Sequence, residues 1–453
     1  MAIEHKITIH KIISGGVGIG RLADGMVVMV PYVLPAEVVR VRVKRKRKDY
    51  IEAELLEVLQ PSPHRVQAEC PSFGSCGGCD LQHVDQDYQV ELKQNILKDH
   101  LQRTGVLGEE EFCKLCASPV SSPRKFGYRQ RIRLQVDDHA RIGFYQPGSH
   151  QLENIKDCPI ARSEINEALI GLQSSEHGLS LLKQANEVEL ILSPDDFRVI
   201  SIIHFKRKPR PGDLKNAAGL CGDVVRISCL YFKSEGHGMS GPFFAGKSRD
   251  DELFINFRIS LDNGQGGVKD LLLSFEPGGF CQINQEQNEN LIAIVLEWLN
   301  GEPLGRALDL FCGMGNFSLP LAVMGYEVVG MDLQRSAIRS AIRNAAQAKL
   351  DNCSFSKSSA YEGLKKAVGE KKRYDLVLLD PPRQGCTGLV PLLLELGSTY
   401  IIYISCDPAT LARDLAGLTD DYEIQKMRLV DMFPQTHHME TVVLLKRKAD
   451  DVS

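Results

Sequence analysis

Residues 306–334 read RALDLFCGMGNFSLPLAVMGYEVVGMDLQ. The apolar run RALDLF ends in a glycine-rich turn, FSLPLAVMG has helical character, and EVVGMDL is a second apolar run. The alternation continues downstream. RSAIRSAIRNAAQAK (335–349) reads as a helix, DLVLLDPP (375–382) as a strand, and IIYISCDP (401–408) as another strand cut off by proline. Strands alternating with helices make a doubly wound, mostly parallel sheet, and residues 273–453 are expected to form one.

Gly313 and Gly315 let a ligand approach the backbone closely after the first strand. The turn lacks a phosphate-loop lysine, and its spacing is not GxGxxG. Asp332 ends the second strand, where a carboxylate can accept both ribose hydroxyls of an adenosine. DPPR (380–383) closes the fourth. Together these have the layout of an S-adenosylmethionine-dependent methyltransferase. A dinucleotide oxidoreductase is the alternative, and the DPP argues against it.

Cys406 follows the apolar run IIYIS and precedes Asp407-Pro408, so it sits at the carboxyl end of a strand and beside a helix N-terminus. Open α/β sheets bind ligands at that edge. The helix dipole there is expected to favour the reactive thiolate. Taken alone, such a cysteine is more often a small apolar filler.

A chain of 453 residues suggests about three domains. Its 43% hydrophobic and 25% charged content is that of an ordinary soluble globular protein. The net charge of −4 means that any nucleic-acid surface must be local. MAIEHKITIH lacks the apolar core of a signal peptide, and no apolar run is long enough for a membrane span. A cytoplasmic protein with no membrane partner is expected, and its 13 cysteines then point to metal binding or catalysis rather than disulfides.

Residues 1–60 show short alternating strands with glycine turns, which predicts a small barrel of OB type. Arg40, Arg42, Lys44, Lys46 and Lys48 share one strand face and could track a phosphate backbone or simply be a solvated edge. Residues 61–272 predict a mixed α+β domain, with a helix through YQVELKQNILKDHLQRTG and several strands. Arg129, Arg131 and Arg133 alternate along one of these and form a second candidate RNA-facing surface.

Cys70, Cys76 and Cys79 lie in CPSFGSCGGC, a C-x5-C-x2-C spacing, and Cys158 is followed by proline in KDCPI. Four thiolates suit zinc or an iron–sulfur cluster. The 5-then-2 spacing and the distant Cys-Pro fit a cluster better than paired CxxC motifs would. Cys113 and Cys116 form a further CxxC without flanking glycines and read as incidental; Cys312 reads as packing.

FCQIN (280–284), LDLFCGMGNF, LLDPPR, SCDPATLARDL and DMFPQTHHME, in this order, resemble the bacterial RNA uracil-C5 methyltransferases. The resemblance runs through nearly the whole chain. It implies that the N-terminal barrel is a TRAM domain, that Cys70, Cys76, Cys79 and Cys158 hold a [4Fe–4S] cluster, and that the fold is a Rossmann-like α/β methyltransferase domain behind a mixed central one. A TRAM domain together with a cluster points to the enzymes acting on 23S rRNA. Carried over, the resemblance makes Cys406 the nucleophile and Glu440 the base that takes the C5 proton. It places Gln282, Phe311, Asn316, Asp332, Ser359 and Asp380 against S-adenosylmethionine. Ser359 stands where relatives often have Asn, and Asp332 where some have Glu.

The chemistry accounts for these groups. Uracil C5 is a poor nucleophile, and thiolate addition at C6 turns the ring into an enolate that attacks the methyl donor through C5. A carboxylate then removes the C5 proton, and elimination frees the cysteine. The base is expected to be flipped out of folded RNA to reach the thiolate. His437 and His438 beside Glu440 have no third ligand nearby in sequence. The cluster, far in sequence from every catalytic motif, is expected to be structural, and the enzyme to act as a monomer. A non-catalytic RNA-binding protein and a cytosine-C5 methyltransferase are the competing readings. Which uridine is modified is not encoded in any motif.

Overall fold

The computed structural model describes residues 4–244, 254–262, 268–303 and 305–449. Five strands, β1 (Glu4–Ile13), β2 (Val17–Arg21), β3 (Val27–Pro31), β4 (Val38–Lys46) and β5 (Tyr50–Gln60), close into a barrel in the order β1-β2-β3-β5-β4. Its core is the inward half of the alternating strands, with Ile7, Ile9, Val28, Val30, Val39 and Val41 buried. The expected basic stripe on β4 is largely neutralised. Arg40 pairs with Glu57, Arg42 with Glu4 and Glu54, and Lys44 with Glu54. Most of these acids stand directly across the ladder, so register accounts for the pairing of Arg40, Arg42 and Lys44.

A short strand, β6 (Cys116–Val120), follows the helix Gln86–Arg103 and is discussed below. Next comes a seven-stranded mixed sheet of β7 (Arg131–Val136), β8 (Ile142–Tyr145), β9 (Leu152–Asn154), β10 (Ala185–Ser193), β11 (Arg198–Phe205), β12 (Ile227–Ser234) and β13 (His237–Phe243), ordered β13-β12-β11-β10-β7-β8-β9. Arg131 and Arg133 on β7 pair with Glu189 and Glu187 across the ladder to β10. A hairpin of β14 (Ile255–Asp262) and β15 (Val268–Phe275) buries Phe257, Ile259, Leu271 and Leu273 against the C-terminal sheet and the helix Gln285–Leu299.

The C-terminal sheet holds β16 (Arg306–Asp309), β17 (Glu327–Asp332), β18 (Cys353–Lys357), β19 (Leu376–Leu379), β20 (Tyr400–Ser405), β21 (Tyr422–Val430) and β22 (Glu440–Arg447). Its order is β18-β17-β16-β19-β20-β22-β21-β6, with β18 through β20 parallel and β22 antiparallel to β20. This is the expected doubly wound sheet. Every residue of β20 is buried: Ile402 and Ile404 pack into the core on one face, Ile401 and Tyr403 into the core on the other.

The expected division at residue 272 needs correction. β6 joins the C-terminal sheet beside β21, and the amphipathic helix Gln86–Arg103 packs its Leu92, Ile96 and Leu97 into the same core. The segment after the barrel thus contributes first to the C-terminal sheet and only later to the seven-stranded one. No helix among the described residues is long and apolar enough to cross a membrane.

Candidate active site

The chain leaves β16 towards β17 on one side and towards β19 on the other. A crevice therefore opens at the carboxyl ends of these strands. Six neighbouring strands bring candidate residues to this one edge. Ser359 follows β18, Asp332 ends β17, Phe311 follows β16, Asp380 follows β19, Cys406 follows β20, and Glu440 opens the antiparallel β22.

The turn after β16 is held open for a ligand. Gly313 and Gly315 have φ of 55° and 93°, where a side chain would be strained. The Asp332 carboxylate accepts from the Gly313 N–H at 3.1 Å and the Gln334 N–H at 2.7 Å. The Asn316 amide exchanges two hydrogen bonds with Asn288, at 2.9 and 2.8 Å. Asn288 lies on the helix that FCQIN leads into, so this pair ties the segment carrying Gln282 to the glycine turn. Gln282 is buried, and its carbonyl accepts from the Gln130 side chain at 2.8 Å. The Ser359 hydroxyl accepts from the Glu362 N–H at 3.1 Å and caps the helix Ala360–Gly369; that is its visible work. Cys312 is buried, as expected for packing.

A row of acids follows the strand order, and each feels the next. Asp309, fully buried and bonded by the Ser318 hydroxyl at 2.6 Å, is pushed up to about 7 by burial. Asp380 is likewise pushed up to about 7, by burial and then by Asp309. Burial, with the Asp380 charge added, raises Glu440 well above the carboxylate range; Arg383 opposes the shift. One Glu440 carboxylate oxygen is buried without a hydrogen-bond partner. The Cys406 thiol is pushed up to about 12, by burial first and then by Glu440 and Asp380. The expected dipole-stabilised thiolate is therefore reversed. The physical reason is burial, with the charges of Glu440 and Asp380 added; Asp407, which caps the Ala409 and Thr410 N–H groups at 3.0 and 2.8 Å, adds a smaller push in the same direction.

Glu440 is delivered by a clamped loop. The buried Lys93 ammonium bonds Asp431 at 2.5 Å and the Phe433 carbonyl at 3.1 Å. Tyr128 donates to the Pro434 carbonyl at 2.9 Å, and Gln89 trades hydrogen bonds with Gln435. Asp80 and Leu81 donate their N–H groups to the Gln435 carbonyl, and the Asp80 carboxylate pairs with His437. His438 accepts from Arg383 at 3.2 Å, and burial, with the nearby cationic side chains, lowers it to about 3. Asn288, Asp309 and Arg383 received no role from sequence; Asp309 lies in LDLFCGMGNF and Arg383 in DPPR, whereas Asn288, on the helix after FCQIN, carried no motif signal.

Cys70, Cys76, Cys79 and Cys158 line one cavity of about 350 Å3, bordered by Arg129, Arg133, Arg383 and His438. All four are free thiols. Cys76 and Cys79, with pKa values pushed up to about 11 and 12 chiefly by burial, each feel the charge of Cys158. Among the described residues no three His, Cys, Asp or Glu side chains group closely enough to hold a single metal ion. This cavity adjoins the loop that carries Glu440, so distance in sequence misrepresents its place. Cys113 is exposed and Cys116 half-buried, away from these cavities.

Residues 263–448 match the sequence profile of the family described as tRNA (Uracil-5-)-methyltransferase. The 23S rRNA (uracil(1939)-C(5))-methyltransferase RlmD of Photorhabdus laumondii is 33% identical over 97% of this chain and 96% of its own length. The enzyme of the same name from Shewanella sediminis is 32% identical over 98% and 96%. Among solved structures, the Pyrococcus abyssi tRNA (uracil-54, C5)-methyltransferase in complex with S-adenosyl-L-homocysteine superposes with a TM-score of 0.70. It shares 26% identity over 97% of this chain and all of that one.

Proposed function

This chain belongs to the RNA uracil-C5 methyltransferase family, and we propose that it methylates C5 of a uridine in 23S rRNA through Cys406 and Glu440. The observation that carries the reading is the register at the sheet edge. β20 and β22 pair Ser405 with Thr441, so Cys406 and Glu440 are the next residues on the two strands, beside Asp380 at the end of β19.

S-adenosylmethionine supplies the methyl group. Asp332, Phe311, Asn316 and Gln282 border its place, with Ser359 and Asp380 at either side. A row of carboxylates suits a sulfonium cation, whose charge relieves their mutual repulsion. Cys406 gives its proton to solvent as the sulfur adds to C6 of the extruded base, forming the S–C6 bond and an enolate. C5 of that enolate takes the methyl group, and the sulfonium leaves as neutral S-adenosylhomocysteine. Glu440, having released its resting proton to solvent, then accepts the C5 proton, the S–C6 bond breaks, the double bond returns and the sulfur leaves as thiolate. A base with an elevated pKa is well matched to this proton.

The same reading gives Cys70, Cys76, Cys79 and Cys158 to a [4Fe–4S] cluster. Four thiols around one roomy cavity with Arg129 and Arg133 on its rim suit an anionic polynuclear cluster. The choice of a cluster over zinc rests on the C-x5-C-x2-C spacing and the distant Cys158-Pro159, since among the described residues no three such side chains group closely enough to hold a single metal ion. The same reading keeps the expectation of a monomer working in the cytoplasm. The full-length likeness to a tRNA enzyme favours tRNA as the second reading. Incubation with labelled methyl donor and either unmodified 23S rRNA or unmodified tRNA, followed by nucleoside mass spectrometry, separates them. 5-Methyluridine in the rRNA alone is expected; 5-methyluridine in tRNA alone, or 5-methylcytidine, would reject the assignment.

A further inference from the structure

A second, small cavity of about 80 Å3 opens directly on Cys406. Around the sulfur its lining includes Arg383, Asp407, His438 and Met439. The lining also includes Ser14 and Gly15, in the turn between β1 and β2 of the N-terminal barrel. This turn is fixed in place from both sides. The Ser14 hydroxyl bonds His100 at 2.9 Å, and Lys11 pairs with Asp99 on the same helix. On the other side Gly16 lies against Asp80, where an added Cβ would stand 3.1 Å from the carboxylate that binds His437. Gly15 and Gly16 have φ of 90° and 69°, so the chain reverses within two residues and brings backbone rather than bulky side chain to the cavity.

We infer that the Ser14–Gly16 turn is a wall of the pocket that receives the extruded base, so the barrel is a specificity element of the active site itself. The inference rests on the proposed reaction, because the base must meet Cys406. Ser14 is exposed and can be enlarged without entering the barrel core. With the helix on one side and Asp80 on the other, the turn cannot retreat from a larger side chain. It therefore sets how wide a base can lie against the sulfur. Ser14 and Gly15 are the barrel residues that line the Cys406 cavity.

The test enlarges Ser14 in the full-length protein. Ser14→Leu is expected to lower kcat/KM for RNA by about tenfold or more, through misplacement of the base. S-adenosylmethionine affinity and circular dichroism should be unchanged. It should also slow alkylation of Cys406 by iodoacetamide, a readout that needs no RNA. Wild-type rates of both methylation and alkylation in Ser14→Leu would overturn the inference. If the wild-type protein methylates no RNA, the proposed function fails and the alkylation arm alone decides the wall. If Ser14→Leu does not fold, photo-crosslinking of wild-type protein to 4-thiouridine-substituted rRNA decides: crosslinks within residues 13–17 support the wall, and their absence overturns it.

Discussion

Cys406 and Glu440 stand one step beyond the Ser405–Thr441 pair of the β20–β22 ladder, and the buried acid acts directly on the thiol. The pair is thus fixed by sheet register, not by a flexible loop. Its resting electrostatics oppose ionisation of both members, since burial and the neighbouring Asp380 raise each.

The first consequence concerns the free thiol. With its pKa pushed up to about 12, Cys406 should alkylate slowly at neutral pH, and its rate should climb with pH without a plateau below about pH 10. S-adenosylmethionine, which carries a sulfonium charge, should move this profile downward, and neutral S-adenosylhomocysteine should not. Mass spectrometry of the Cys406 peptide after iodoacetamide treatment gives the rates. A plateau near neutral pH in the free protein would contradict the picture.

Stability should carry the mark of Glu440. Its native pKa lies above its unfolded value, so between the two the unfolded chain has already lost the proton that the native protein keeps. Native stability therefore falls as pH rises through this window, by up to about 1.4 kcal/mol per pH unit. Glu440→Gln removes the penalty. Its urea midpoint should exceed wild type at pH 8 and approach it below about pH 4, because the wild-type acid is then protonated in both states.

Lys93 should matter out of proportion to its distance from Cys406. It is fully buried with Asp431, whose other carboxylate oxygen has no hydrogen-bond partner. Lys93→Ala leaves that charge alone in the interior and should cost about 3–5 kcal/mol in urea unfolding. Lys93→Met with Asp431→Leu should recover much of the stability, but not the register of the loop carrying Glu440, so methyl transfer should stay impaired.

The cysteine-lined cavity borders the same loop through Phe433, Thr436 and His438. Anaerobically purified protein should contain iron and sulfide and absorb broadly in the visible. Cys79→Ser should lose that absorbance and loosen the Asp80–Leu81 contacts to Gln435, detected as faster hydrogen exchange in residues 431–439. Zinc in place of iron, with exchange unchanged, would count against the cluster.

The parallel sheet was legible because β16, β17, β19 and β20 are apolar runs cut by Gly or Asp-Pro. The barrel was legible because its strands alternate. The candidate pair Cys406 and Glu440 came from the family resemblance, as did Asp332 and Asp380, whose places at strand ends were also readable; Asp309 received no role. β6 was not legible: CASPV is short and weakly apolar, and its partner β21 lies far along the chain. The acid partners of the β4 stripe were hidden for a similar reason, since Arg40 and Arg42 meet Glu57 and Glu54 only once register is known. The wall at Ser14 and the nearness of the cysteine cavity to Glu440 needed the packing of separate sheets, which no local pattern records.

The most direct measurement uses Glu440→Gln with S-adenosylmethionine and 23S rRNA. This variant can add Cys406 to C6 and accept the methyl group at C5, but it cannot take the C5 proton. A covalent RNA–protein adduct that survives denaturing electrophoresis and maps to Cys406 by peptide mass spectrometry is predicted, together with a fall in turnover of about 10²-fold or more. No adduct, or methylation that persists when Cys406→Ala is combined with it, would contradict the account.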